Sequence, residues 1–200
     1  MNVLVVYAHP EPESTVGRLR NAVLEELASL NHVVRQHDLY AEGFNPVMSA
    51  FERKNHSTAL APKLDFIPEL RPYVENLLWC EAVVLVYPTW WSGQPAIMKG
   101  WIDRVFVNEV AWTLPEDANR LKPLLTNIRR LVVVTTHGST KFVNAMEGES
   151  GKRTVFRSLR FMMHWRTRCT WIAFYGLDRI AVEKRDEVIV RARRRLRKAL

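Results

Sequence analysis

The sequence predicts an α/β fold in which a parallel sheet of five strands lies between two layers of helices. Five short segments have the pattern of strands, and most are apolar along their whole length, as strands buried on both faces are. Segments of helical periodicity alternate with them, which is typical of doubly wound sheets. The predicted strands are residues 2–8, 32–38, 82–87, 130–136 and 169–175.

Helices are predicted wherever apolar residues recur at helical spacing or a helix-starting residue precedes such a run. Ser14 or Thr15 can cap the first helix, and prolines stand at two other helix starts. Pro46 and Pro62 interrupt residues 39–65, and residues 107–128 form an irregular excursion. The predicted helices are 15–30, one near 49–59, 68–80, 95–106, about 151–164, and 182–199. These elements make a single domain over residues 1–200.

Composition indicates a soluble globular protein, with 48% hydrophobic and 25% charged residues. No apolar run approaches the roughly 18–20 residues that span a bilayer. The N-terminal residues lack a basic leader and a cleavage site, so a cytoplasmic location is expected. The two cysteines, Cys80 and Cys169, fit a reducing compartment, and Cys80 is expected to pack in the core.

The net charge of +8 is concentrated at the C-terminal end. Residues 152–200 hold 15 Lys and Arg against 4 Asp and Glu, whereas residues 1–151 carry a net charge of −3. Such a segment can bind nucleic acid or an anionic membrane, or attract an anionic cofactor such as a flavin phosphate or NADPH. We favour the simplest reading, a solvated helix face, and regard nucleic-acid binding as the weaker alternative.

Three loops follow strong strands at the edge of the sheet where doubly wound folds bind ligands. The first, residues 9–16, leads into a helix N-terminus that suits a phosphate, with Ser14 and Thr15 as hydroxyl donors. It has no GxGxxG or Walker pattern, and a plain capping turn explains it as well. The segment is HPEPESTV.

The second and third loops carry aromatic and turn-forming residues. In residues 88–95, Trp90 and Trp91 stand beside Gly93, where indole rings offer a flat apolar wall to a heterocycle. The same tryptophans could be core or dimer-interface residues. In residues 135–140, successive N–H groups can form an anion-binding nest, while His137 is equally explained as a surface turn residue.

Other chemistries have little support in the sequence. The histidines and cysteines show no metal-ligand spacing, so no metal site is predicted. No GxSxG motif follows a strand, which argues against a serine hydrolase. The histidines are His9, His32, His37, His56, His137 and His164.

The three loops together resemble the NAD(P)H:quinone oxidoreductase family. That family includes DT-diaphorase, bacterial modulators of drug activity and ancillary reductases of potassium-efflux systems. The resemblance runs from residue 2 to about 140 and fades beyond. It is carried by AHPEPES (8–14), DLYAEGFNPVMS (38–49), TTHG (135–138) and, most specifically, YPTWWSGQPAIMKGWIDRVF (87–106), with its spacing to Lys99, Gly100, Trp101 and Arg104.

The resemblance implies a flavodoxin-like fold with strand order 2-1-3-4-5, a tightly bound flavin (FMN or FAD) and a homodimer. By position, the flavin phosphate and ribityl chain would contact His9, Ser14 and Thr15. The isoalloxazine ring would lie on Pro88, Thr89, Trp90 and Trp91. Its pyrimidine end would face Thr135, Thr136, His137 and Gly138.

The implied reaction is ping-pong. NAD(P)H reduces the flavin and leaves, and a quinone then takes the same place and accepts hydride; the protein contributes positioning and electrostatics. Backbone N–H groups at 135–138 would stabilise negative charge at flavin N1 and O2. The substrate pocket would include Trp91, Ser92 and, reaching the partner subunit's pocket, Trp112. Dimerisation is also suggested by the apolar helix 95–106.

One departure concerns the proton supply. Known members carry a tyrosine and a histidine shortly after the third loop, but here the tyrosine position is Val143, beside Phe142, and the next histidine is His164. His137 is therefore the candidate catalytic residue, with water as the alternative. Two other functions stay open: a regulatory flavoprotein that binds a membrane transporter, and an electron-carrier flavodoxin, although flavodoxins are typically acidic.

Overall fold

A computed structural model describes residues 1–115, 119–177 and 185–200. A 3₁₀ turn (Pro68–Leu70) precedes the fourth helix, and a π-helical segment (Thr154–Leu159) continues the seventh. The helices are α1 (Thr15–Ser29), α2 (Ala50–Lys54), α3 (Leu60–Phe66), α4 (Arg71–Trp79), α5 (Ala96–Val105), α6 (Lys141–Met146), α7 (Ser150–Arg153) and α8 (Arg185–Ala199). The strands are β1 (Asn2–Tyr7), β2 (Val33–Asp38), β3 (Ala82–Pro88), β4 (Trp112–Thr113), β5 (Lys122–Pro123), β6 (Arg130–Thr136) and β7 (Arg168–Phe174).

The main sheet has five parallel strands in the order β2-β1-β3-β6-β7. Because β6 and β7 are the fourth and fifth of the long strands, this is the predicted order 2-1-3-4-5, and the flavodoxin-like α/β fold is confirmed. The short strands β4 and β5 pair antiparallel in a separate ribbon within the predicted excursion.

Alternate residues of the strands feed two separate cores, one on each face of the sheet. On one face, Val3 and Val5 pack with α1 and α8; on the other, Leu4 and Val6 pack with α4 and α5. The apolar side chains of α5, including the fully buried Trp101, lie in this chain's own core. They therefore give no support to a dimer.

The structure refines two element predictions. The short helix predicted near 49–59 is present as α2, which ends earlier, at Lys54, and a second short helix, α3, follows it. Pro62 lies in the first turn of α3, where a missing N–H breaks no helical hydrogen bond. The loop expected after residue 140 contains α6, and the predicted start of the last helix at 182 lies outside the described residues.

Buried charges fasten the outer elements to this frame. On α5, Arg104 is buried and pairs with Glu52 at 2.6 Å and Glu69 at 3.1 Å, which holds the segment between β2 and α4 in place. On α1, the buried Glu26 accepts hydrogen bonds from Arg193 at 2.9 Å and from Arg197 at 2.6 Å. Part of the basic C-terminal helix is thus structural rather than only a solvated face. Among the described helices, none is long and apolar enough to cross a membrane.

Candidate functional site

A cavity of about 1210 Å³ opens at the carboxyl ends of β1, β3 and β6. All three predicted loops contribute to it, because parallel strands bring their carboxyl ends to one edge of the sheet. The predicted residues that line it are His9, Ser14, Thr15, Pro88, Thr89, Trp90, Trp91, Ser92, Thr136, His137 and Gly138.

The first loop presents the N-terminus of α1 to the cavity. Ser14 caps the helix, its Oγ accepting a hydrogen bond from the Gly17 amide at 3.1 Å. A Cβ at Gly17 would lie 1.8 Å from the Pro12 carbonyl oxygen, so only glycine lets the loop fold this tightly onto the helix. The positive end of the helix dipole therefore faces the cavity and favours an anion there.

His9 is held as a neutral ring at the mouth of this loop. Its Nδ1 lies 2.9 Å from both the amide nitrogen and the carbonyl oxygen of Glu11. Burial lowers the pKa of the His9 imidazole, and the neighbouring Glu11 opposes this only in part. His9 thus offers hydrogen bonds rather than charge.

The second loop forms a tight turn from Trp90 to Gly93, closed by hydrogen bonds of 3.2 and 3.0 Å between these two residues. Both central residues are left-handed, with φ of 48° at Trp91 and 60° at Ser92. Neither is a glycine, so this conformation costs about 1–2 kcal/mol at each position. In this conformation the Trp91 side chain is fully exposed at the cavity.

Neighbouring segments hold this strained turn in place. The Ser92 carbonyl oxygen accepts hydrogen bonds from the Gly151 amide and the Ser150 hydroxyl, both at 2.8 Å. The Ser92 hydroxyl itself donates to the Glu147 carboxylate. The chain after α6 therefore decides where Trp91 stands.

The third loop places a largely buried imidazole in the cavity wall. His137 is 7% exposed and stacks on Tyr175, with ring centroids 4.5 Å apart. Its Nε2 lies 3.4 Å from the Thr89 hydroxyl. Burial lowers the pKa of His137, and nearby Asn144 and two carboxylates oppose this only in part. The ring is neutral at pH 7.

The other ring nitrogen of His137 faces a second, much smaller cavity. Nδ1 of His137 and Nε1 of Trp171 are buried, and neither has a hydrogen-bonding partner among the described residues. Both residues line a cavity of about 10 Å³, roughly the volume that one water needs.

Two predicted site residues lie outside the cavity lining. Thr135 is fully buried and turned away, its Oγ1 2.9 Å from the Thr89 hydroxyl, so its side chain supports the wall from behind. Trp112 packs against His56, with ring centroids 5.6 Å apart, and donates its indole N–H to the Phe106 carbonyl oxygen at 3.1 Å. Within this chain it does not reach the cavity, and a role in a partner's pocket stays a prediction.

Sequence reasoning missed several lining residues. Asn144 and Glu147 lie in and just after α6, three positions apart, and therefore share a helix face. The signal for α6 was Thr140, whose hydroxyl accepts a hydrogen bond from the Val143 amide at 3.4 Å and caps the helix. Val16 and Ser139 also line the cavity and lie within the predicted loops 9–16 and 135–140, whereas no pattern in the sequence pointed to Leu177 and Arg185.

The residues at and after the family's proton-relay position take no part in the cavity lining. Phe142 and Val143 are exposed on α6. His164 lies beside Arg129 at the opposite end of the sheet. Of the histidines in the described ranges, only His9 and His137 reach the cavity. Within those ranges no cluster of three or more His, Cys, Asp or Glu could hold a metal ion.

The expectation that Cys80 packs in the core is confirmed. Cys80 is fully buried with its thiol 3.3 Å from the Leu77 carbonyl oxygen, and burial raises the pKa of the thiol to about 12. Cys169 is partly buried, and the two cysteines do not form a disulfide.

A doubly wound sheet with a large cavity at its carboxyl edge is the arrangement in which α/β proteins of this class bind their ligands. The chain belongs to the family described as having a flavodoxin-like fold, whose model matches residues 1–200.

Several similar proteins are named as dehydrogenases or NAD(P)H oxidoreductases. The chain is 31% identical to a ribosyldihydronicotinamide dehydrogenase-like protein of Penicillium crustosum over 76% of this chain and 62% of that protein. It is 32% identical to the mouse ribosyldihydronicotinamide dehydrogenase [quinone], over 74% of this chain and 68% of the relative. The resemblance to NAD(P)H:quinone oxidoreductases is thereby confirmed.

A solved structure from Streptococcus mutans superposes over 99% of this chain and all of its own, with a TM-score of 0.81 and 26% identity. The fold is thus shared along the full chain. In contrast, the chain spans about half to two thirds of the length of the curated relatives that it matches.

Proposed function

We propose that this chain is a flavin-dependent NAD(P)H oxidoreductase that reduces quinone-like acceptors. One observation carries the proposal: the strained turn that holds a fully exposed Trp91 over a cavity of about 1210 Å³. An exposed indole on a costly backbone is retained where it serves binding. The volume exceeds the roughly 300–1,000 Å³ of common ligand pockets, which leaves room for a cofactor and a second ring.

The lining residues fit a flavin. The amides of the first turn of α1, with the Thr15 hydroxyl, suit its phosphate. Trp90 and Trp91 offer an apolar wall to a planar ring. The loop after β6 offers backbone N–H groups and the His137 edge to the polar end of the ring. When bound, the flavin supplies hydride transfer between NAD(P)H and the acceptor.

The chain's own residues would position the reactants and steady charge. Neutral His137 lies with its Nε2 3.4 Å from the Thr89 hydroxyl, so the pair can steady an oxygen that becomes negative beside Thr89. Glu147 accepts a hydrogen bond from the Ser92 hydroxyl, which fixes the turn from Trp90 to Gly93 and so the position of the Trp91 side chain. Arg185, also in the lining, adds a positive charge that suits the phosphates of NAD(P)H.

A homodimer belongs to the same proposal. Beside the cavity, α6 exposes Phe142 and Met146, and the turn exposes Trp91. Burying such side chains would stabilise association by roughly 1.5–3 kcal/mol each. A second subunit over this rim would also close the open side of the cavity. Trp112 of one subunit would then be free to contribute to the other's pocket.

The test is reconstitution with FMN and with FAD, followed by absorbance. A bound flavin that bleaches with NADH or NADPH and recovers with a quinone, in the absence of any partner protein, would support a reductase. Flavin that binds but shows no quinone turnover would favour the electron-carrier or regulatory alternative. If neither flavin binds, the proposal fails.

A matched pair of variants locates the site. Trp91→Ala should weaken flavin or substrate binding at least tenfold, because the exposed wall is lost. Trp165→Ala removes another exposed tryptophan, which lies in the loop before β7 and far from the cavity. It should change neither flavin binding nor substrate binding. Equal effects of the two variants would contradict the role of Trp91.

A further inference from the structure

Four arginines line an open depression of about 510 Å³: Arg129, Arg130, Arg166 and Arg168. They stand at the amino ends of β6 and β7, the edge of the sheet opposite the main cavity. No part of the proposed reductase chemistry uses them.

Strand pairing brings these residues together from distant parts of the sequence. Arg130 and Arg168 are register partners on adjacent parallel strands, so their side chains leave the same face about 4.8 Å apart. The Arg168 amide donates to the Arg129 carbonyl oxygen at 3.1 Å. The buried Thr167 hydroxyl donates to the Ile128 carbonyl oxygen at 2.8 Å, which fixes the loop before β7.

Among the described residues, no carboxylate neutralises the positive charges of this cluster. In the described part of the chain, none of the four forms an ion pair with a carboxylate, whereas Arg104, Arg193 and Arg197 each do. Glu81 adjoins the cluster through its backbone, but its carboxylate accepts the Asn2 amide at 2.9 Å instead. Four uncompensated guanidinium groups in one depression attract an anion from solution.

The pKa of His164 is also affected by the positive charge of these arginines. Its Nδ1 accepts hydrogen bonds from the Arg129 guanidinium and the Arg166 amide, both at 3.0 Å, so this nitrogen is unprotonated. Desolvation lowers the pKa of His164, and the charges of Arg129 and Arg166 lower it further. A bound anion would offset those charges.

We propose that this depression is a second ligand site that binds a polyphosphate group. Guanidinium groups bind phosphate oxygens in bidentate pairs, and four of them match a ligand with several negative charges better than a single carboxylate. The depression is also large enough for more than one phosphate. The group can come from inorganic pyrophosphate or from a nucleotide, and the two sources are separable by experiment. The site does not depend on the proposed flavin chemistry.

The experiment is calorimetric titration of the flavin-saturated protein with pyrophosphate and, separately, with ADP. Flavin bound as proposed would occupy the other candidate anion site, at the N-terminus of α1. We expect saturable binding with one equivalent, weakening as salt rises. Arg129→Gln/Arg168→Gln should weaken it at least tenfold. Arg191→Gln/Arg194→Gln removes the same charge from exposed positions on α8 and should change it less than twofold.

NMR titration of the histidines distinguishes binding at this site from a general electrostatic effect on the whole protein. Pyrophosphate should raise the pKa of His164 and leave that of His32 unchanged. Tighter binding of ADP than of pyrophosphate would identify a nucleotide as the source, and equal binding an inorganic polyphosphate. Unsaturable binding, equal weakening by the two double variants, or tighter binding of an acidic peptide would overturn the site. If flavin does not bind, the same titrations on the flavin-free protein still decide the question.

Discussion

The amide nitrogen of Gly151 lies 2.8 Å from the carbonyl oxygen of Ser92 and donates a hydrogen bond to it. This contact joins the strained tryptophan turn to the start of α7. It also leaves no space for a side chain, since a Cβ at Gly151 would stand 2.9 Å from the same oxygen. The position of the cavity wall therefore depends on a glycine that does not line the main cavity.

Gly151→Ala should displace the turn. We expect a loss of about 1–3 kcal/mol in the free energy of unfolding, from the forced backbone shift. Flavin affinity should fall with it, because Trp91 moves. Urea unfolding and flavin titration measure the two effects. Ser150→Ala removes only the second bond to the Ser92 carbonyl oxygen and should have a smaller effect; a larger one would contradict this account.

Arg104→Met should destabilise the protein by about 3–5 kcal/mol, because it leaves the Glu52 carboxylate buried without its partner. The double variant Arg104→Met/Glu52→Leu should recover part of this loss. Arg71→Gln breaks only the exposed pair with Asp65 and should cost less than about 1 kcal/mol. Chemical denaturation separates these cases. Similar losses for Arg71→Gln and Arg104→Met would refute the importance of burial.

Glu26 should make stability depend on acid pH. Hydrogen bonding to Arg197, with help from Arg193, holds the pKa of this carboxyl below its ordinary value of 4.5, although burial opposes the shift. A carboxyl with a lowered folded pKa stabilises the fold above its unfolded pKa and loses this contribution as pH falls through the folded pKa. Unfolding free energy should therefore decrease below about pH 4.5.

Glu26→Gln should be less stable at pH 7 by about 2 kcal/mol, a value reduced for the partly exposed arginines. Its stability should also fall less steeply than the wild type's between about pH 5 and 3. Glu25→Gln, which alters the exposed neighbour, serves as the control. A wild-type slope in Glu26→Gln would show that other carboxyls govern the acid response.

His137→Gln should slow acceptor reduction about 10- to 100-fold if this ring assists charge or proton transfer. Flavin affinity should change less than threefold. Since the pKa of His137 is below its ordinary value of 6.5, the wild-type rate should be flat from about pH 7 to 8. Stopped-flow measurements test this, with His32→Gln as control. An unchanged rate in His137→Gln would leave water as the proton source.

The sequence by itself determined the sheet and the place of the site. Short continuous apolar runs such as residues 82–87 are typical of strands covered on both faces, and alternation with helices indicates a parallel sheet. Parallel strands collect the loops after them at one edge, so the lining by His9, Trp91 and His137 followed from chain order.

Only the tertiary structure decided which side chains face the cavity. Thr135 and Thr136 are neighbours on β6, but side chains alternate across a strand, and Thr135 faces Thr89 instead. The left-handed backbone of Trp91 and Ser92 has no sequence signal, because contacts from distant residues such as Gly151 impose it. In the same way, Arg129 and Arg168 meet only because β6 pairs with β7: long-range pairing, rather than local pattern, brings these charges together.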